Sequence, residues 1–213
     1  MLLTENIMLK VKRSAQILSS TYIVLAGLLF SITMISYYYD IPISWFTRDP
    51  TVVLHGPSYV GFISNIGILF WAFTTAICLL SSIIRKQKYH KTTSQFLLYS
   101  GLLTLWLLLD DMFMLHDSFL PNHLMIPEKL VYLGYVAMVF VYLVKFRAEI
   151  LKHEYVILLF AFCFFSLSVL ADLLLEQQGY EFLLEDGFKL FGIVTWFIFF
   201  FRTCRHYLQQ EES

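Results

Sequence analysis

Two acidic residues four apart, Asp172 and Glu176, and a denser group of Asp110, Asp111, His116 and Asp117 carry the chemistry this sequence offers. On a helix, residues four or seven apart share a face. Asp172 then lies over Glu176 and Asp110 over Asp117, with Asp111 and His116 on flanking sides. Carboxylate oxygens suit Mg, Ca or Mn, and an added imidazole suits Zn or Fe. A divalent ion held this way lowers the pKa of its bound water toward ~7 and creates a hydroxide nucleophile. The expected metal ligands are therefore Asp110, Asp111, His116, Asp172 and Glu176, with Glu185 or Asp186 as the general base. Protons are the competing way to neutralise the group, because crowded carboxylates take them up readily, and a proton relay uses that arrangement.

Glu128, Glu185 and Asp186 fall at helix starts, where the helix dipole favours negative charge, and Glu185 can also pair with Lys189 one turn on. Even so, the acidic groups outnumber Lys129 and Lys189, so a further cation is expected. Ser64 and Asn65 stand where intramembrane polar groups hydrogen-bond neighbouring helices or orient a ligand. His55 and His123 read as loop residues, and His90, His153 and His206 as interfacial ones.

The elements that must position these residues are membrane helices. Of 213 residues, 58% are apolar and 15% charged, with 21 Phe, against about 25% charged in soluble domains. The mean hydropathy is +0.68. This balance excludes a soluble enzyme built around one buried core. Crossing ~30 Å of hydrocarbon at ~1.5 Å per residue takes ~20 residues. Runs of that kind predict six helices, over about 14–39, 57–84, 92–116, 127–146, 154–176 and 186–207, in a single integral membrane domain of residues 1–213. The first follows Lys10, Lys12 and Arg13 as a signal peptide would. It is too long for an h-region and lacks a small-residue cleavage site, so it is expected to stay as an anchor. Cys78, Cys163 and Cys204 lie far apart and offer no disulfide framework.

Orientation follows from Lys and Arg in short loops. One side holds 12 of them and the other only Arg48, Lys129 and Lys189, which predicts cytoplasmic N- and C-termini. Eleven of the 16 acidic residues fall on the outer side, the candidate site among them.

The second, fourth and sixth helices share a small-residue pattern around Gly67, Gly134 and Gly192. Glu128 and Asp186 stand six residues before the last two glycines, and the third and fifth helices each carry a carboxylate late in the span. These matches predict three repeated helical hairpins. Close helix packing is the plainer reading of the glycines.

Two short stretches, Phe62-Ile63-Ser64-Asn65 and residues 107–112, resemble the alkaline ceramidase and progestin/adipoQ-receptor superfamily of zinc-dependent membrane lipid amidases. In that superfamily a histidine in one helix and a His-x3-His pair in the last hold the zinc. Here the third helix has no His before Asp110, and the sixth shows Trp196 and Phe200 without a His-x3-His, so those ligands have no counterpart. The sequence has no GxSxG, HExxH or P-loop, and no mid-membrane Lys for a retinal Schiff base.

The expectation is thus an all-α polytopic membrane protein with an acidic, His-containing pocket at its outer ends. Its expected function is metal-dependent hydrolysis of a lipid-like substrate at the outer interface, with a divalent ion (Zn, Mg, Mn or Ca) as cofactor. A proton- or cation-coupled carrier or channel using the same carboxylates is the alternative, and a structural subunit of a membrane complex a third. Membrane lipid is the expected partner and nucleic acid is not. A homo-oligomer and a larger membrane complex are both compatible with the sequence.

Overall fold

The computed structural model describes residues 2–48, 50–86, 91–174 and 181–209, and among them it contains helices and no strand. The chain divides into two compact units, Met1–Val60 and Gly61–Ser213. Five helical stretches are long and apolar enough to cross a membrane: Leu18–Tyr38, Phe62–Ile84, Lys91–Phe113, Leu130–Ile150 and Tyr155–Asp172. A sixth long helix spans Glu181–Gln209, and its stretch without Asp, Glu, Lys or Arg runs only from 190 to 201.

The first unit contains helix α1 (Leu2–Tyr38) and two single turns, α2 (Ser44–Thr47) and α3 (Pro50–Val53). Asp40 takes a left-handed conformation (φ 53°), so the chain leaves α1 there, and Ile41 N–H returns to the Ser36 carbonyl at 3.0 Å. That closure satisfies an orphan carbonyl of the last turn.

In the second unit, α4 (Phe62–Lys86) starts after Gly61, whose φ of +72° suits glycine alone. The second span therefore begins at Phe62 and not at Pro57. Helices α5 (Lys91–Phe113), α7 (Glu128–Ile150), α8 (Tyr155–Leu174) and α9 (Glu181–Gln209) complete the unit, with a short α6 (Leu120–Leu124) between α5 and α7. Packing is most extensive between α4 and α5, between α8 and α9, and between α4 and α9, and α7 touches α5 more sparsely.

Small residues explain the close pairs. A Cβ at Gly101 would lie 2.7 Å from Leu79 Cδ2, and one at Gly192 would lie 2.7 Å from the Phe165 ring. Gly67 leaves only 3.0 Å to Ile193 Cδ1. Gly134, the third member of the expected repeat, has nothing within 4 Å and serves no such contact.

Trp196 is almost fully buried at the centre of this packing, with Trp71 and Phe200 at 6.0 and 5.1 Å between ring centroids. Its indole N–H donates to Thr104 Oγ1 at 3.1 Å, and Ser100 and Tyr142 share a 2.6 Å hydroxyl bond. Ser82 and Ser94 exchange bonds to each other's carbonyls at 2.8 and 3.0 Å. Lipid is as apolar as the core, so such hydrogen bonds, worth ~0.6 kcal/mol on average, and dense packing specify the arrangement. Large apolar side chains such as Leu80, Leu133, Phe140 and Phe191 face outward, as a lipid-solvated bundle requires.

Candidate acid-base site at one end of the bundle

The third span ends at Phe113, short of the expected 116, because Met114 is left-handed (φ 49°, ψ 47°). A π-helical turn, Leu115–Phe119, follows and leads into α6. Left-handed backbone at a non-glycine costs on the order of 1–3 kcal/mol, and such outliers and π turns gather at functional sites. The break moves His116 beside Asp110, six residues earlier, which a continued helix would place on another face.

Asp110 gathers three bonds. Its Oδ2 meets His116 Nδ1 at 2.6 Å, and its Oδ1 accepts the His116 backbone N–H at 3.0 Å and the Tyr135 hydroxyl at 2.6 Å. Tyr135 comes from α7, and the rings of Tyr132 and Tyr135 lie 5.3 and 6.3 Å from the imidazole. The side chains of Asp110 and His116 are 8% and 14% exposed, so the dyad sits at the edge of the packed interior.

Asp111 points the other way. Its Oδ1 binds Lys189 Nζ of α9 at 2.6 Å, and its side chain is only 8% exposed. Its Oδ2 is buried and has no hydrogen-bond partner. Beside this pair lies a cavity of about 20 Å³ lined by Ser64, Gly67, Asp111, Asp186, Lys189 and Ile193. One water needs ~10–15 Å³, so the space suits a single water bound to the orphaned oxygen.

The expected ligand set does not converge. Asp110 and His116 bind each other, Asp111 binds Lys189, Asp172 is partly exposed near the end of α8, and Glu176 lies outside the described residues. So do the side chains of Asp117 and Glu128. Among the described residues no group of three or more His, Cys, Asp and Glu is placed to hold a metal ion. Of the two expected bases, Asp186 lines the cavity and Glu185 is partly buried one residue earlier. Asp111 is compensated by Lys189, one of the two lysines already counted against the acidic groups.

Tyr135 was not singled out from the sequence. It stands beside Gly134 in a run of apolar residues and looks like an ordinary interfacial aromatic. Lys189 stands one turn from Glu185 in the sequence, and nothing local signals its partner 78 residues away.

No curated protein and no solved structure matches the chain. Residues 22–203 match the family described as Domain of unknown function (DUF8692), and it is to this family that the chain belongs.

Proposed function

We propose that this chain is a membrane-embedded hydrolase of lipid-like substrates whose general base is His116, oriented by Asp110. The observation that carries the reading is the 2.6 Å contact between Asp110 and His116 Nδ1, beside a second carboxylate with a water-sized cavity. A carboxylate behind an imidazole holds the ring and favours the tautomer with its basic lone pair on Nε2. Tyr135, on the same carboxylate, keeps Asp110 an acceptor and the ring in place. Lys189, held in place by Asp111, is the donor to which a carbonyl or phosphoryl oxygen would bind in this reading.

The same dyad also suits a metal-bound histidine, whose second ring N–H commonly meets a carboxylate. A divalent ion would enter this reading at the imidazole and not at Asp110, whose two oxygens already hold protein partners. The buried hydroxyls deeper in the bundle favour hydrolysis over coupled transport. Thr104, Ser100, Ser82 and Ser94 bond helix carbonyls, Trp196 or Tyr142, and so do not line an aqueous track. The reading includes six spans in three outer-side hairpins with both termini cytoplasmic, which places the dyad at the outer interface. Tags inserted after Asn122 and after Lys152 test that orientation, with the first accessible from outside and the second from the cytoplasm.

The test of function is product release from a panel of phospholipids, glycerides and ceramides by purified protein in micelles, followed by mass spectrometry. His116→Ala should lower the rate by about 10²–10⁴-fold while thermal unfolding shows the fold retained. A wild-type rate no higher than that of His116→Ala on every substrate overturns the hydrolase. Uptake of protons into vesicles by the same protein would favour the carrier.

A further inference from the structure

The other end of the second unit holds a larger opening that the acid-base site does not use. There the turn between α7 and α8 meets the last turns of α9, around a cleft of about 570 Å³ lined by Lys152, His153, Glu154, Arg202, Arg205 and His206 among others. Ligand pockets commonly measure ~300–1,000 Å³, so this one has room for a phosphate with a small organic group attached.

Its charges are only partly answered from within. Lys152 Nζ donates to Glu149 at 2.7 Å, and Arg202 forks onto the Glu154 carboxylate. Arg205 has no carboxylate partner among the described residues. A fork of guanidinium donors facing open space matches phosphate oxygens in shape and charge.

A second observation comes from below the cations. His153 Nε2 is buried without a hydrogen-bond partner, while its ring packs edge-on to His206 and Tyr207 at 5.5 and 4.7 Å. A buried polar atom left unpaired is costly and calls for an outside partner. When protonated, that nitrogen is a donor beside Arg205, and an anion oxygen satisfies it. Burial first, and then the neighbouring His206, hold the His153 pKa below its ordinary value. A bound anion reverses that balance.

We propose that this cleft binds a phosphate-bearing anion between Arg205, His206 and His153, at the end of the bundle opposite the acid-base site. The adjoining spans Leu130–Ile150 and Tyr155–Asp172 end at the cleft, so it lies level with membrane head groups. Basic pockets between membrane helices hold anionic head groups in this way.

The experiment measures binding to the full chain in detergent by thermal shift, using inorganic phosphate and short-chain phosphatidic acid as separate probes, with short-chain phosphatidylcholine, a zwitterion of no net charge, as the control. Phosphatidic acid should raise the unfolding temperature and phosphatidylcholine should not. A response to inorganic phosphate as well identifies a free phosphate site, and a response to phosphatidic acid alone identifies a head-group site. Arg205→Gln should weaken binding about tenfold, the expectation for one charged hydrogen-bonding partner. Arg147→Gln, an exposed cation outside the cleft, should leave it unchanged. No response to either phosphate, or equal losses in Arg205→Gln and Arg147→Gln, overturns the site. Because the assay reads binding and not turnover, its failure is distinct from failure of the hydrolase reading.

Discussion

Replacing Lys189 by Met removes the cation from Asp111 while keeping a similar apolar stem. The contact is 2.6 Å, with 8% of the Asp111 side chain and 38% of the Lys189 side chain exposed. Stripping one partner from a fully buried pair costs about 3–5 kcal/mol, whereas an exposed pair is worth about 0–1 kcal/mol. With one end buried and the other partly wet, we expect about 2 kcal/mol, discounted for the solvent that screens Lys189. For a chain of this size that lowers the unfolding temperature by about 4–8 °C. The cost arises at Asp111, which would be left with both oxygens unpaired. Asp111→Asn should therefore cost less, since Lys189 can turn to solvent, and combining the two changes should recover most of the loss. Thermal unfolding of the four proteins in one detergent gives the coupling directly. If the losses of the single variants simply add, to within about 0.5 kcal/mol, the pair is not a coupled buried unit and this reasoning fails.

Gly101→Ala should destabilise the bundle by about 1–3 kcal/mol, since its new methyl would meet Leu79 side chain and backbone at 2.7–3.2 Å. Gly134→Ala, in open space, should be neutral or stabilise by about 0.5–1 kcal/mol through helix propensity, and unfolding curves of the pair distinguish them. Mg, Ca, Mn or Zn should leave the unfolding temperature unmoved, because both oxygens of Asp110 and one of Asp111 already have partners. A rise that His116→Ala abolishes would favour the metal-dependent reading. His153 has a folded pKa below its ordinary value, so its contribution to stability is held above about pH 6.5 and is lost as pH falls through the folded value. His153→Gln should flatten that part of the pH profile of unfolding, and an unchanged profile would mean that His153 does not titrate as its surroundings require.

Charge-free runs located five helices long and apolar enough to cross a membrane, because lipid imposes a simple rule that a single chain obeys visibly; the sixth expected run falls in α9, whose stretch without Asp, Glu, Lys or Arg covers only 190–201. The placement of Asp110, Asp111 and His116 was legible for the same reason: carboxylates late in an apolar span are conspicuous. What they touch was not. Nothing in Phe113-Met114-Leu115 announces a left-handed residue, since the usual signal is glycine or asparagine, so an unbroken helix was expected and His116 was assigned to a flanking side. Lys189 was counted among the lysines near the acidic groups, but its partner, Asp111, lies on another helix 78 residues away, which local spacing does not signal. The glycine repeat was half informative: Gly67 and Gly192 sit at tight contacts and Gly134 does not, a difference that only the neighbouring helix decides. Ser100, Thr104 and Ser82 knit the core through bonds to partners on other helices that the sequence does not reveal.

The bonds at Asp110 separate two things that usually change together in evolution. One of its oxygens grips the backbone N–H of residue 116, a group that every residue except proline possesses. The loop after α5 is thus anchored whatever side chain residue 116 carries. Position 110 is more constrained, because a side chain without an acceptor oxygen there releases the loop, the imidazole and Tyr135 at once. Position 116 is a socket on a fixed mount. A variant of this chain could exchange the imidazole for another reactive group there without losing the bond that holds the turn.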